Sequence, residues 1–134
     1  MKEEATKILR LFDDNKIAYQ LYHHPPVYTS EEAAKVRGVE LKTGCKSMVL
    51  RKSNSEVIIA NLAADRKIDM KKIEAVVRSK LRFASKEEVL AVTHCEPGSV
   101  PPFGALFGLQ SLMIRFCRIV MLTLTLGCLQ KVQR

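Results

Sequence analysis

A chain of 134 residues has room for one domain. Hydrophobic residues make up 47% and charged ones 27%, a globular balance that argues against a disordered tract. Within Leu106 to Leu129 the longest uncharged apolar stretch, Ile119 to Leu129, falls short of the about 20 residues that span a bilayer, and the net charge of +8 favours polyanionic partners.

The charge is unevenly distributed. Residues 97–134 contain no aspartate, glutamate or histidine, yet they carry Arg115, Arg118, Lys131 and Arg134. Cys45, Cys95, Cys117 and Cys128 are far apart and form no CxxC pair, which argues against a zinc ribbon or a thioredoxin-like motif. The segment Met1-Lys2-Glu3-Glu4 is charged and acidic rather than apolar, so reduced thiols and a cytoplasmic location are expected, with no membrane partner.

In chain order, Ala5, Ile8, Leu9, Leu11 and Phe12 recur at helical spacing and predict a helix over residues 3–14. The β-branched and aromatic run Ile17 to Tyr22 predicts a strand, ended by His23-His24-Pro25-Pro26 because proline lacks a ladder donor. Thr29 and Glu32 have the spacing of a capping box before a short helix to Arg37, with Gly38 suited to a left-handed exit. Lys46 to Lys52 and Glu56 to Leu62 predict a hairpin turning at Ser53-Asn54. Asp69 caps a predicted helix with Met70, Ile73, Val76 and Val77 on one face. Leu81 to Ala84 is a short strand candidate, and Ser85 with Glu88 forms a second capping box. Glu96 to Gly104 is a loop rich in proline and glycine, and Leu106 to Leu129 reads as a pair of buried strands. These alternations predict an α/β (α+β) fold over residues 1–134: one compact domain, a mixed β-sheet surrounded by helices.

Three segments together resemble the YbaK/prolyl-tRNA-synthetase-associated editing-domain family. They are His24-Pro25-Pro26-Val27-Tyr28-Thr29-Ser30-Glu31-Glu32-Ala33-Ala34, then Gly44-Cys45-Lys46-Ser47-Met48-Val49-Leu50, then Leu81 to Ser85 leading to Pro97-Gly98-Ser99-Val100-Pro101-Pro102-Phe103-Gly104. The resemblance covers residues 1–109, and residues 110–134 diverge from the family. It implies hydrolysis, in trans, of the ester of mischarged tRNA, chiefly tRNA for proline carrying alanine, cysteine or serine. Such a second site answers a physical limit, since a pocket built for one amino acid cannot fully reject a smaller one. The implied partners are the tRNA acceptor end and prolyl-tRNA synthetase or a synthetase complex, with no DNA and no cofactor.

By the same resemblance, Lys46 holds the phosphate or ribose of the acceptor end, a role suited to a flexible ammonium. The backbone near Gly98 orients the scissile carbonyl and water. His24, Tyr28, Thr29, Ser47, Pro101, Phe103 and Gly104 are the expected substrate-binding residues. His23 and His24 are adjacent and have no third ligand nearby, so no metal is expected. His94 and Cys95 are neighbours in sequence and poorly disposed as a nucleophile pair. An aminoacyl ester is already activated, so positioning and oxyanion stabilisation suffice without a protein nucleophile. A catalytically weak or inactive tRNA-binding, synthetase-associated module with the same fold is the alternative, because the divergent residues lack acidic groups.

Overall fold

The computed structural model describes residues 3–21, 24–25, 27 and 29–114. Its elements begin with α1 (Glu3–Asp14) and α2 (Ser30–Arg37), then β1 (Cys45–Lys52) and β2 (Val57–Ala63). They continue through α3 (Met70–Val77), β3 (Leu81–Phe83), α4 (Lys86–Thr93) and β4 (Gln110–Met113). Short 3-10 turns cover Leu41–Thr43 and Gly104–Phe107.

Local chemistry accounts for most boundaries. The Thr29 side chain accepts from the Glu32 amide at the start of α2, and Gly38 closes that helix at φ +66°. Asp69 caps α3 by accepting from the Lys72 amide. Ser85 and Glu88 form a reciprocal capping box on α4. The β1–β2 hairpin turns through residues 53–55, with the Ser55 amide donating to the Lys52 carbonyl at 3.0 Å and Ser55 itself left-handed at φ +73°.

The four strands form a mixed sheet in the order β3-β1-β2-β4. β1 is antiparallel to both β2 and β3, while β4 runs parallel to β2. Alternation along the central strands divides the core between two faces. Val49 and Ile59 pack with Val89 of α4, Cys95 and Val100 on one face. Leu50, Ile58 and Ala60 pack with Ile73 of α3 on the other.

Three expectations are corrected. Ile17 to Leu21 is irregular rather than a strand, and Ile17, Tyr19 and Leu21 are 50%, 41% and 39% exposed. The segment has strand-forming residues but no partner strand, since the edges of the described sheet are β3 and β4; Tyr22 lies outside the described residues. Val76 turns to solvent at 73% exposure, so the buried stripe of α3 is narrower than its sequence suggests. Leu106 does not open a long buried strand: it lies in a 3-10 turn, and the β4 that follows is a four-residue edge with most of its side chains exposed. Residues 115–129 of that expectation lie outside the described residues.

Candidate functional site

A cleft of about 340 Å³ opens on the sheet face shared by Val49, Val89 and Val100. One wall is the first half of β1, residues 45–49, and the facing wall is Pro97-Gly98 with Val100 and Pro102. Thr29, Ser30 and Ala33 reach it from the start of α2, and Phe83 with Ala84 from the end of β3. Four elements distant in sequence thus supply the walls, at the low end of the size range of small-molecule sites.

The Gly98 wall is built by a tight turn. The Ser99 amide donates to the Glu96 carbonyl at 3.0 Å, with Pro97 and Gly98 as the central pair. Gly98 takes φ +84°, which is the glycine position of a type II turn, and proline pre-sets the residue before it. The Ser99 hydroxyl donates to the same Glu96 carbonyl at 2.8 Å. This wall is therefore a rigid backbone surface.

A chain of hydrogen bonds ties the two walls together. The Ser47 hydroxyl donates to Oδ1 of Asn61, its cross-strand partner, at 2.7 Å. Asn61 Nδ2 donates in turn to the Pro102 carbonyl at 2.9 Å. The Ser111 hydroxyl of β4 lies 3.5 Å from that carbonyl and accepts from the Gly104 amide at 2.8 Å. A Cβ on Gly104 would meet the Ser111 hydroxyl and the Leu109 carbonyl, the latter at 2.6 Å, so this glycine serves close packing.

The expected site residues divide accordingly. Thr29, Lys46, Ser47 and Gly98 line the cleft. Alternation puts Lys46 on the face of Met48 and Leu50, opposite Ser47, and the cleft is lined by residues of both faces along this half of β1. Phe103 is not among the lining residues: its ring meets Phe12 of α1 edge-on, with centroids 5.8 Å apart. Pro101 is buried under the loop, and Gly104 supports the wall from behind; neither lines the cleft. His24 is also outside the lining, and its Nδ1 is 2.8 Å from the Pro25 carbonyl. Tyr28 lies outside the described residues. Cys95 is fully buried while His94 is exposed, which separates that pair. Cys45 and Phe83 belong to the family-like segments but carry no expected substrate role, and Asn61 and Ser111 are not singled out by the sequence. Asn61 alone had a visible signal, as a single amide inside the apolar strand Val57–Ala63.

Among the described residues that line the cleft there is no carboxylate. Outside the lining, Glu88 on α4 fastens that helix to the sheet. Arg82 donates to it at 2.9 and 3.2 Å and Arg51 at 2.6 Å, and these guanidinium bonds lower its carboxyl from 4.5 to about 2. Among the described residues no group of three His, Cys, Asp or Glu could hold a metal ion, and no helix is long and apolar enough to cross a membrane.

Fold and cleft define a small α+β domain with one face of a mixed sheet given over to a site. The chain belongs to the aminoacyl-tRNA editing domain family, whose profile matches residues 24–113. It is 33% identical over 103 residues to the prolyl-tRNA editing protein ProX of Acetoanaerobium sticklandii, covering 74% of this chain and 62% of that protein. It is 42% identical over 76 residues to the uncharacterized protein YwhH of Bacillus subtilis, 57% of this chain and 48% of that one. A third match, at 33% over 86 residues, is to proline–tRNA ligase of Bacillus licheniformis, 63% of this chain and 15% of the ligase. The chain thus spans less than two thirds of the length of these curated relatives. Two crystal structures share the fold. One is of a hypothetical protein, with a TM-score of 0.66 at 22% identity over 72% of this chain and 65% of that one. The other, described provisionally as a trans-editing enzyme for prolyl tRNA synthetase, has a TM-score of 0.63 at 24% identity over 76% and 66%.

Proposed function

We infer that this chain is an aminoacyl-tRNA deacylase that acts in trans on mischarged tRNA, with tRNA for proline carrying alanine, cysteine or serine as its substrate. The observation that carries the reading is the cleft itself, lying within the span that matches the editing family, with a rigid glycine turn facing β1. The reaction asks little of side-chain chemistry. Water attacks the ester carbonyl, the tetrahedral oxyanion forms, and the ribose oxygen of the terminal adenosine leaves with a proton. The backbone around Gly98 orients carbonyl and water, the ribose hydroxyl beside the ester assists the water, and the site contributes mainly placement. Lys46, which lines the cleft near the start of β1, binds the phosphate or ribose of the acceptor end and so places the ester in the cleft. His24 and Tyr28 contact the terminal adenosine or the amino acid, with Thr29 at the rim. Association with prolyl-tRNA synthetase belongs to the same reading, supported by the likeness to a segment of the ligase.

The test is deacylation of tRNA for proline charged separately with alanine, cysteine and serine. One ester is expected to be hydrolysed rapidly, and Lys46→Ala to slow it about a hundredfold through misplacement of the substrate. An unchanged single-turnover rate in that variant would remove Lys46 from the mechanism. A second reading, a tRNA-binding module of weak or no activity, is favoured by the lack of any acidic residue or histidine in residues 97–134. Retained acceptor-stem binding with no hydrolysis of any ester would establish it.

A further inference from the structure

Asn61 is 1% exposed, and its amide is hydrogen-bonded at both ends. Chemistry decides which end faces which partner. The Pro102 carbonyl can only accept, so the amide nitrogen must be the group 2.9 Å from it. The amide oxygen therefore faces Ser47, and that hydroxyl must give up its single proton across the 2.7 Å between them. Ser47 keeps only lone pairs for the cleft it lines. An ordinary serine hydroxyl rotates to donate or accept as its partner requires. Rotation here would strand a buried amide oxygen with no donor to replace the hydroxyl.

We propose that Asn61 is a positioning residue that makes Ser47 an obligate acceptor, and that the group Ser47 receives is the α-ammonium of the aminoacyl ester. This assignment rests on the reading of the cleft as an aminoacyl-ester site. An ammonium has donors and no acceptors, and no carboxylate among the described lining residues is there to meet it. A neutral oxygen whose proton is turned away is a complement to it. The same geometry keeps Ser47 from donating to an oxyanion while the Asn61 bond holds. The ribose 2′-hydroxyl is the competing donor, and the experiment separates the two.

Non-hydrolysable amide-linked analogues of the terminal adenosine test this apart from turnover. One carries alanine, and the other carries propionate, which is alanine without its amino group. Titration calorimetry of the full chain is expected to show the alanyl analogue bound about tenfold or more tightly than the propionyl one, as for a hydrogen bond to a charged group. Ser47→Ala should bring that ratio to within about twofold, whereas Ser47→Thr, which keeps the hydroxyl, should preserve it. Asn61→Leu, where circular dichroism shows it folded, should lower the ratio by freeing the hydroxyl to turn. A preference that survives Ser47→Ala, or that the wild type lacks, overturns the proposal. So does a Ser47→Ala loss that is equal on both analogues and vanishes when the ribose is 2′-deoxy, because Ser47 would then face the sugar. A Ser47-dependent preference without hydrolysis of any ester would refute the deacylase and leave the acceptor assignment standing. Hydrolysis without that preference would do the reverse, and binding of neither analogue would refute both.

Discussion

Gly98 shows how one backbone angle shapes the cleft. At φ +84° it occupies a conformation that other residues enter only at a cost, although the space beside it is open. Gly98→Ala should therefore cost about 1 kcal/mol of stability through strain rather than collision, read as a lower urea midpoint at unchanged slope. If the turn relaxes to escape the strain, the cleft wall moves, and deacylation should fall by more than the stability loss explains. Asn61 is the complementary case. Its amide is stranded among apolar neighbours in sequence, which a reader of the chain can see, but its partners lie 14 and 41 residues away. That separation explains why a glycine in a Pro-Gly turn was recognisable beforehand and the amide's role was not.

At the scale of the elements, the helix starts are legible in the sequence, α1 from its apolar spacing and the other three from their caps. Thr29, Asp69 and Ser85 each bond an amide three residues on, a signal contained within a single turn. Ile17 to Leu21 is the counter-example: strand propensity needs a partner to become a strand, and nothing local supplies one. Glu88 serves both scales, since it completes the α4 capping box and draws Arg82 and Arg51 to it. Its folded pKa lies below its usual 4.5, so its ionised form favours the folded state. The stabilisation is present above about pH 4.5 and is lost as pH falls towards about 2. Acid titration of wild type against Glu88→Gln, followed by circular dichroism, should show the two curves converging across that window, with the wild type the more stable above it. Parallel curves would mean the guanidinium bonds contribute nothing on balance.

At the scale of the whole molecule, the net charge of +8 belongs to binding rather than to fold. If the partner is the acceptor end of tRNA, affinity should fall steeply with ionic strength, about tenfold or more between about 50 and 200 mM salt, as counterions are released from contacted phosphates. A filter-binding series over that range measures the slope, and a flat one would exclude phosphate as the main contact.

The chain by itself determined the helix caps, the β1–β2 hairpin, the glycine turn and the editing family, because each is written in residues a few positions apart or in motifs of fixed order. Only the tertiary structure decided that Phe103 turns to α1, that Ser47 faces the cleft, and that the Ser47 proton is committed to Asn61. Those outcomes depend on which distant groups share a face of the sheet. A buried donor or acceptor must be satisfied by whatever packing brings to it, and no local pattern in the sequence specifies that partner.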